Sequence, residues 1–397
     1  MYDFSNYISR RGKGSMKWER MYEKVSDLPE DVLPLSVADM EFKCAPEIID
    51  GLKETLNELP VLGYAVPTQS YYDAVIQWMR EKHKWDIQQN WIIPETGVIP
   101  ALFNSVKAYT KPEEGVLIMT PVYYPFYNAV KRTNRKLVTS SLLYNGERYE
   151  VDFDDFEKKA QASTTKLFIL CSPHNPVGRV WEKEELEKIA KICLDNDVII
   201  VSDEIHFDLI MPGYHHHVLN TLSQEIAMNT VVCTAPSKTF NLAGMHTCNI
   251  VIQNETLRKK YQEELLSQGH MGLNILGIKA CELAYTKAND WYESLLTQLN
   301  ENKEYIETFM KENIPEIKVL NLEGTYLQWW DCRELNMSKE ELETFMQKEA
   351  LLFLDEGYIF GDEGDGFERI NLACPKHVLE SGMMRLKKAY QKYKSKG

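Results

Sequence analysis

Between residues 115 and 254 the sequence gathers β-branched and other apolar residues into short, nearly unbroken runs, and these constrain the architecture most. They are "GVLIMTP" (115–121), "KLVTSSLL" (136–143), "KLFILCSP" (166–173), "DVIIVSDE" (197–204), "TVVCTAP" (230–236) and "NIVIQN" (249–254). A strand with one wet face alternates apolar and polar residues, whereas continuous runs need cover on both faces. Such cover is legible in "EKEELEKIAKICLDN" (182–196), where Leu186, Ile189, Ala190 and Cys193 recur at helical spacing between two of the runs. Strand, helix and strand in that order make a βαβ unit with a right-handed crossover. From about residue 92 to 254 the chain is therefore expected to be α/β, a mostly parallel sheet between helices.

After about residue 255 the texture changes to long amphipathic stretches such as "DWYESLLTQLNENKEYIETFMKEN" (290–313), followed by a mixed C-terminal segment. The expected division is an N-terminal segment (1–45) associated with a small domain, a large domain (46–285) and a small α+β domain (286–397). No internal repeat or low-complexity linker is visible. The net charge of -14, without a dense Lys/Arg patch, argues against a nucleic-acid partner. No run of 18 apolar residues exists to span a bilayer, and "MYDFSNYISRRGKGSMKWER" lacks the apolar core of a secretory signal. The eight cysteines are scattered without metal-binding or disulfide-like spacing, so a reducing, cytoplasmic setting is expected.

Four segments stand where α/β sheets place ligands, at the C-terminal ends of strands. "ETGVIPAL" (95–102) opens a helix at Thr96, Gly97 and Val98, and free N–H groups there suit a phosphate, though a plain helix start reads the same. "SDEIHFD" (202–208) sets Asp203 and Glu204 after a buried strand; a carboxylate out of water needs a partner, while a solvent-facing loop acid does not. Asn175 in "CSPHNPVG" (171–178) either caps its own turn or offers its amide to a ligand. Lys238 in "APSKTFN" (235–241) either reaches for solvent or is desolvated into a nucleophile for carbonyls, with the Ser237 hydroxyl beside it. A phosphate-ready helix start, a buried acid and a carbonyl-reactive lysine together suit pyridoxal 5′-phosphate. Two distractors are set aside: His215 to His217 lack metal-ligand spacing and read as a surface loop, and "GDEGDGF" (361–367) is too acidic for a phosphate and reads as a loop near the site's mouth.

The same motifs carry a resemblance. With "SVADMEF" (36–42), "LGYAVP" (62–67) and "SKTFNLAG" (237–244), the chain resembles the fold type I pyridoxal-phosphate enzymes of the class I/II aminotransferase superfamily. Within it the closest likeness is to the MalY/PatB branch of cystathionine β-lyases. The resemblance implies a large domain with a mostly parallel, seven-stranded-type sheet flanked by helices, plus a smaller α+β domain. It further implies that Lys238 bonds the cofactor's aldehyde, Asp203 pairs with its pyridine nitrogen and Tyr123 stacks on its ring. Val98, Ile99 and Ser237 would hold the phosphate, with Tyr64 of a second copy in a homodimer. Asn175 and Arg369 would take the substrate α-carboxylate, and Asp39 and Met40 would lie near the substrate side chain.

Two departures matter. His206 stands where many relatives have a tyrosine on the cofactor's phenolic oxygen, and His246 stands where many have a phosphate-binding arginine. The residues alone leave β-elimination and transamination open, because both use the same lysine and aspartate. The resemblance favours a carbon–sulfur β-lyase acting on cystathionine or related L-cysteine S-conjugates. An aminotransferase, or a cofactor-binding protein with a regulatory role, remains as the alternative.

Overall fold

The computed structural model describes residues 2–25, 27–270 and 272–395. Its central sheet contains β1 (Ile92–Glu95), β2 (Gly115–Thr120), β3 (Lys136–Ser141), β4 (Thr165–Cys171), β5 (Ile199–Asp203), β6 (Thr230–Thr234) and β7 (Cys248–Val251), in the order β1-β7-β6-β5-β4-β2-β3. Strands β2 to β7 coincide with the six apolar runs. The pairs β2–β3, β2–β4, β4–β5 and β5–β6 are parallel, and β7 runs antiparallel to both β6 and β1. Pro94 is tolerated because β1 is an edge strand, where a missing N–H breaks no second ladder.

The helices include α1 (Met16–Lys24), α2 (Pro46–Glu58), α3 (Gln69–His83), α4 (Val98–Tyr109), α5 (Lys183–Asp195), α6 (Ile275–Lys287), α7 (Asn289–Asn313) and α8 (Lys376–Lys394), of which α4 and α5 lie against opposite faces of the sheet. Along β2 the side chains alternate between two layers. Val116 and Ile118 join Ala101, Leu102 and Val106 of α4. Leu117 and Met119 join Leu186, Ile189, Ala190 and Cys193 of α5 on the other face. Both faces are dry, which is the physical origin of the unbroken apolar runs. Helix α5 starts at a reciprocal capping box between Glu182 and Glu185, which satisfies donors at its first turn.

A second, antiparallel sheet is built from β8 (Lys318–Val319), β9 (Leu327–Asp331), β10 (Asp355–Glu356) and β11 (Phe367–Asn371), in the order β8-β9-β11-β10. Residues Leu33–Pro34 pair in parallel with Leu352–Phe353, so the N-terminal segment is hydrogen-bonded to the C-terminal region. No helix among the described residues is long and apolar enough to cross a membrane.

The histidine run departs from the surface loop expected of it. His216 is buried and its Nε2 lies 2.8 Å from Glu204 Oε2. Glu204, itself fully buried, also accepts from the Ser202 hydroxyl at 2.8 Å and the Leu219 N–H at 3.1 Å. A buried carboxylate that loses one such donor pays on the order of 1–3 kcal/mol, which is why the middle histidine turns inward. His215 is exposed, and among the described residues no His/Cys/Asp/Glu group is arranged to hold a metal.

Candidate active site

Strand β6 ends at Thr234, and Pro236, with its preset φ, starts the single helical turn Pro236–Thr239 that carries Lys238. The Lys238 ammonium donates to the Ala38 carbonyl at 2.7 Å, and the Tyr326 hydroxyl donates to the same oxygen at 2.9 Å. Burial pushes Lys238 down to about 8, against the Asp39 carboxylate, which favours the charge, and with Arg369, which opposes it. At pH 7 about a tenth of this amine is therefore unprotonated and nucleophilic, far more than of an ordinary lysine.

The segment 36–42 lies across the lysine because several side chains fasten its backbone. Asn371 donates to the Val37 and Asp39 carbonyls, each at 2.8 Å. Asn241 accepts from the Met40 N–H at 3.0 Å and donates to the carbonyls of Met40 and Phe42. The Asp39 carboxylate pairs with Arg10 at 2.9 Å and Lys17 at 2.9 Å. Burial alone would raise Asp39, but Lys17 and Arg10 overrule it and hold the carboxyl at about 2. Asp39, expected beside a substrate side chain, is thus committed to two protein cations, and Met40 is buried.

Asp203 closes β5, in register with Cys233 of β6, which sets it close to the Lys238 turn. Among the described residues its carboxylate receives only the Ile205 N–H, at 3.2 Å, in contrast to Glu204 next to it, which has three donors. Burial raises Asp203 to about 7, opposed by that N–H and the Lys238 charge. His206 is buried with Nδ1 unpartnered, and burial together with Lys238 and Arg369 keeps its pKa well below the ordinary histidine range.

The loops after β2 and β4 meet where the Tyr123 N–H donates to the Asn175 carbonyl at 3.0 Å. Gly178, at φ +73°, lets this turn fold back so that His174 and Arg179 bridge, and a Cβ there would meet Leu322 at 2.8 Å. The Asn175 amide oxygen accepts from Arg369 Nη1 at 2.8 Å. Arg369, on β11 and almost fully buried, also pairs with Asp355, lies 4.7 Å from the Phe360 ring centre and leaves Nε unpartnered. Burial pushes the Tyr123 hydroxyl up, and it feels the charges of Arg369 and Asp203.

Lys238, Asp203, His206, Tyr123 and Arg369 thereby share one electrostatic neighbourhood, to which Asn175 is joined through Arg369. At the start of α4, after Gly97, Val98 is buried and Ile99 partly exposed, and first-turn N–H groups have no acceptor within the helix. The Ser237 hydroxyl has no protein partner among the described residues, and its carbonyl receives the Leu242 N–H. Tyr64 is apart from the cluster, with 98% of its surface exposed. Sequence reasoning gave no role to Tyr326, Asn371, Lys17, Arg10 or Asp355, nor to Asn241, although Asn241 lay inside the segment singled out around Lys238.

The sequence family Aminotransferase class I and II matches residues 30–386. The chain is 37% identical to cystathionine beta-lyase PatB of Bacillus subtilis over 98% of its own length and 99% of the relative's. It is 30% identical to protein MalY of Escherichia coli over 97% and 98% of the two chains. Its fold superposes with a TM-score of 0.96 on cystalysin from Treponema denticola, a crystal structure containing pyridoxal 5′-phosphate, at 48% identity and 99% coverage of both chains.

Proposed function

Since the chain belongs to the aminotransferase class I and II family, we propose that it is a pyridoxal 5′-phosphate-dependent carbon–sulfur β-lyase acting on L-cysteine S-conjugates of the cystathionine type. The observation that carries this is the juxtaposition of a partly neutral Lys238 with an under-bonded, buried Asp203 and a buried Arg369. The unpaired groups fit the cofactor: the free oxygen of Asp203 suits a protonated ring nitrogen, His206 a phenolic oxygen, and the α4 first turn with Ser237 a phosphate. When bound, pyridoxal phosphate supplies an aldehyde for an amine and a ring that accepts the Cα electron pair.

The chain's residues do the rest. Arg369, whose Nε is unpartnered, would with Asn175 hold the substrate α-carboxylate, and the Phe360 face and the Asp355 pair fix the guanidinium plane. Tyr123 would pack beside the cofactor's ring. Lys238 Nζ would hold the cofactor through its aldehyde and, when free, would be the base placed for the substrate Cα proton. The Tyr326 hydroxyl keeps the Ala38 carbonyl in place while Nζ moves away from it. Loss of the thiolate from Cβ leaves an enamine, which water converts to pyruvate and ammonia.

The likeness to PatB supports elimination over transamination. The purified holoenzyme should release pyruvate and free thiol in equal amounts from L-cystathionine with no keto acid present. Product formed only after a keto acid is added would make it an aminotransferase.

A homodimer is part of this reading. Residues 59–67 form an extended arm on which Val61 (68%), Leu62 (65%), Tyr64 (98%) and Val66 (79%) are exposed. A row of that many apolar side chains without a cover is the mark of an interface, and an arm from a second copy would carry Tyr64 to the phosphate end of the site. Sedimentation should give twice the 46.1 kDa chain mass. Leu62→Asp should yield monomers with at least about tenfold lower activity, since burying an unpaired carboxylate costs several kcal/mol; a fully active monomer would refute the shared site. The pairing of residues 33–34 with 352–353 supports grouping 1–45 with 286–397, and the eight free cysteines suit a reducing, cytoplasmic setting.

A further inference from the structure

Beside the cluster lies a cavity of about 440 Å³ whose walls include Ser36, Val37, Tyr124 and Asp355 on one side and Arg20 and Glu23 of α1 on the other. Asp355 pairs with Arg369, whose guanidinium also reaches the Ser36 carbonyl at 3.5 Å, and Ala38, one residue beyond Val37, receives Lys238. A substrate held between Arg369 and Lys238 therefore has this cavity alongside the 36–38 backbone.

The charges lining the cavity divide sharply. Lys17 is paired with Asp39 and Glu41, Lys24 with Glu343 and Glu356, and Asp355 with Arg369. Arg20 and Glu23 have no partner among the described residues. The Tyr124 hydroxyl, raised first by burial, feels Asp355, Arg369 and then Arg20, which sets the free cation in the same electrostatic neighbourhood as the substrate arginine. One free guanidinium and one free carboxylate, three residues apart on a single helix, complement a group that carries both signs at once.

We infer that this cavity is the subsite for the thiol-side end of the substrate, where Arg20 binds the distal carboxylate and Glu23 the distal ammonium of an amino-acid conjugate. The inference rests on the lyase reading and deepens it: the preferred substrate is a thioether of two amino acids rather than a small S-alkyl cysteine. Arg20 is a specificity residue that touches no reacting atom. A short conjugate such as S-methyl-L-cysteine ends before the cavity and gains nothing from it.

The test compares wild-type holoenzyme with Arg20→Ala, Arg20→Lys and Glu23→Gln on L-cystathionine and S-methyl-L-cysteine. Arg20→Ala should raise KM for L-cystathionine by about fivefold, the scale of one partly exposed ion pair, with kcat unchanged. It should leave S-methyl-L-cysteine within about twofold, Arg20→Lys should restore part of the loss, and Glu23→Gln should repeat it in weaker form. An equal loss on both substrates, or none on L-cystathionine, overturns the subsite. A second arm needs no turnover: the visible absorbance of the bound cofactor is titrated with L-cystathionine and with L-alanine. Arg20→Ala should weaken only the former; if it does so while no pyruvate forms from any substrate, the lyase reading fails and the subsite stands. Unchanged affinity for L-cystathionine in that titration overturns the subsite whatever the reaction.

Discussion

Lys238→Ala should lower pyruvate release from L-cystathionine by at least about 10³-fold, because one atom performs two steps. Nζ would hold the cofactor through its aldehyde, and the same Nζ would be the base for the Cα proton. An alanine leaves the proton to water, which is neither positioned nor basic enough near neutral pH. The fold should survive the change. Lys238 makes a single hydrogen bond, to the Ala38 carbonyl, and Tyr326 remains on that oxygen. The absorbance due to the lysine–cofactor bond should vanish while the thermal midpoint moves by only a few degrees. A variant that keeps a tenth of the activity would remove Lys238 from the chemistry and with it the assignment of the site.

What made that lysine readable was its address, the end of a dry strand, which is a one-dimensional property of the sequence. The β2 to β7 runs were readable for the same reason, since two covered faces leave no polar alternation to disguise a strand. Strand direction is different: nothing in "NIVIQN" distinguishes an antiparallel β7 from a parallel one, because side-chain periodicity is identical for both. The four-residue β1 carries Pro94, and a proline inside a short run argues against a strand. Partners across long separations were equally hidden. Asn175 and Arg369 meet over 194 positions, and no local pattern could announce that Asp355 shares the same guanidinium. The partners of Asp39 and His216 were hidden in the same way: Arg10 and Lys17 for one and Glu204 for the other are groups that only the folded chain brings near.

Asp203→Asn tests whether the under-bonded carboxylate is there for a ligand, through two readouts that move in opposite directions. Activity should fall by about 10² to 10³, the scale of a lost charge-assisted contact at a site where charge develops. An amide cannot stabilise a proton on a ring nitrogen, so the electron pair from Cα loses its sink. The cofactor-free protein should become more stable. Burial raises the Asp203 carboxyl from 3.8 to about 7 in the folded chain, so folding favours its protonated form. The contribution of that proton is fully present below the unfolded value of 3.8 and is lost as pH rises through about 7. At pH 8 the wild-type apo-protein therefore carries a buried charge with one N–H for company, while asparagine carries none. The variant should melt several degrees higher at pH 8, by less at pH 5 and by nothing below pH 4, a gain of roughly 1–3 kcal/mol at its largest. Saturation with cofactor should shrink or reverse the difference, because a cationic ring nitrogen repairs the wild-type carboxylate and not the amide. A site that is destabilising when empty and restored by its ligand is the stability–activity compromise expected of a catalytic acid. A variant equally stable at every pH would mean that Asp203 already has its partner within the protein.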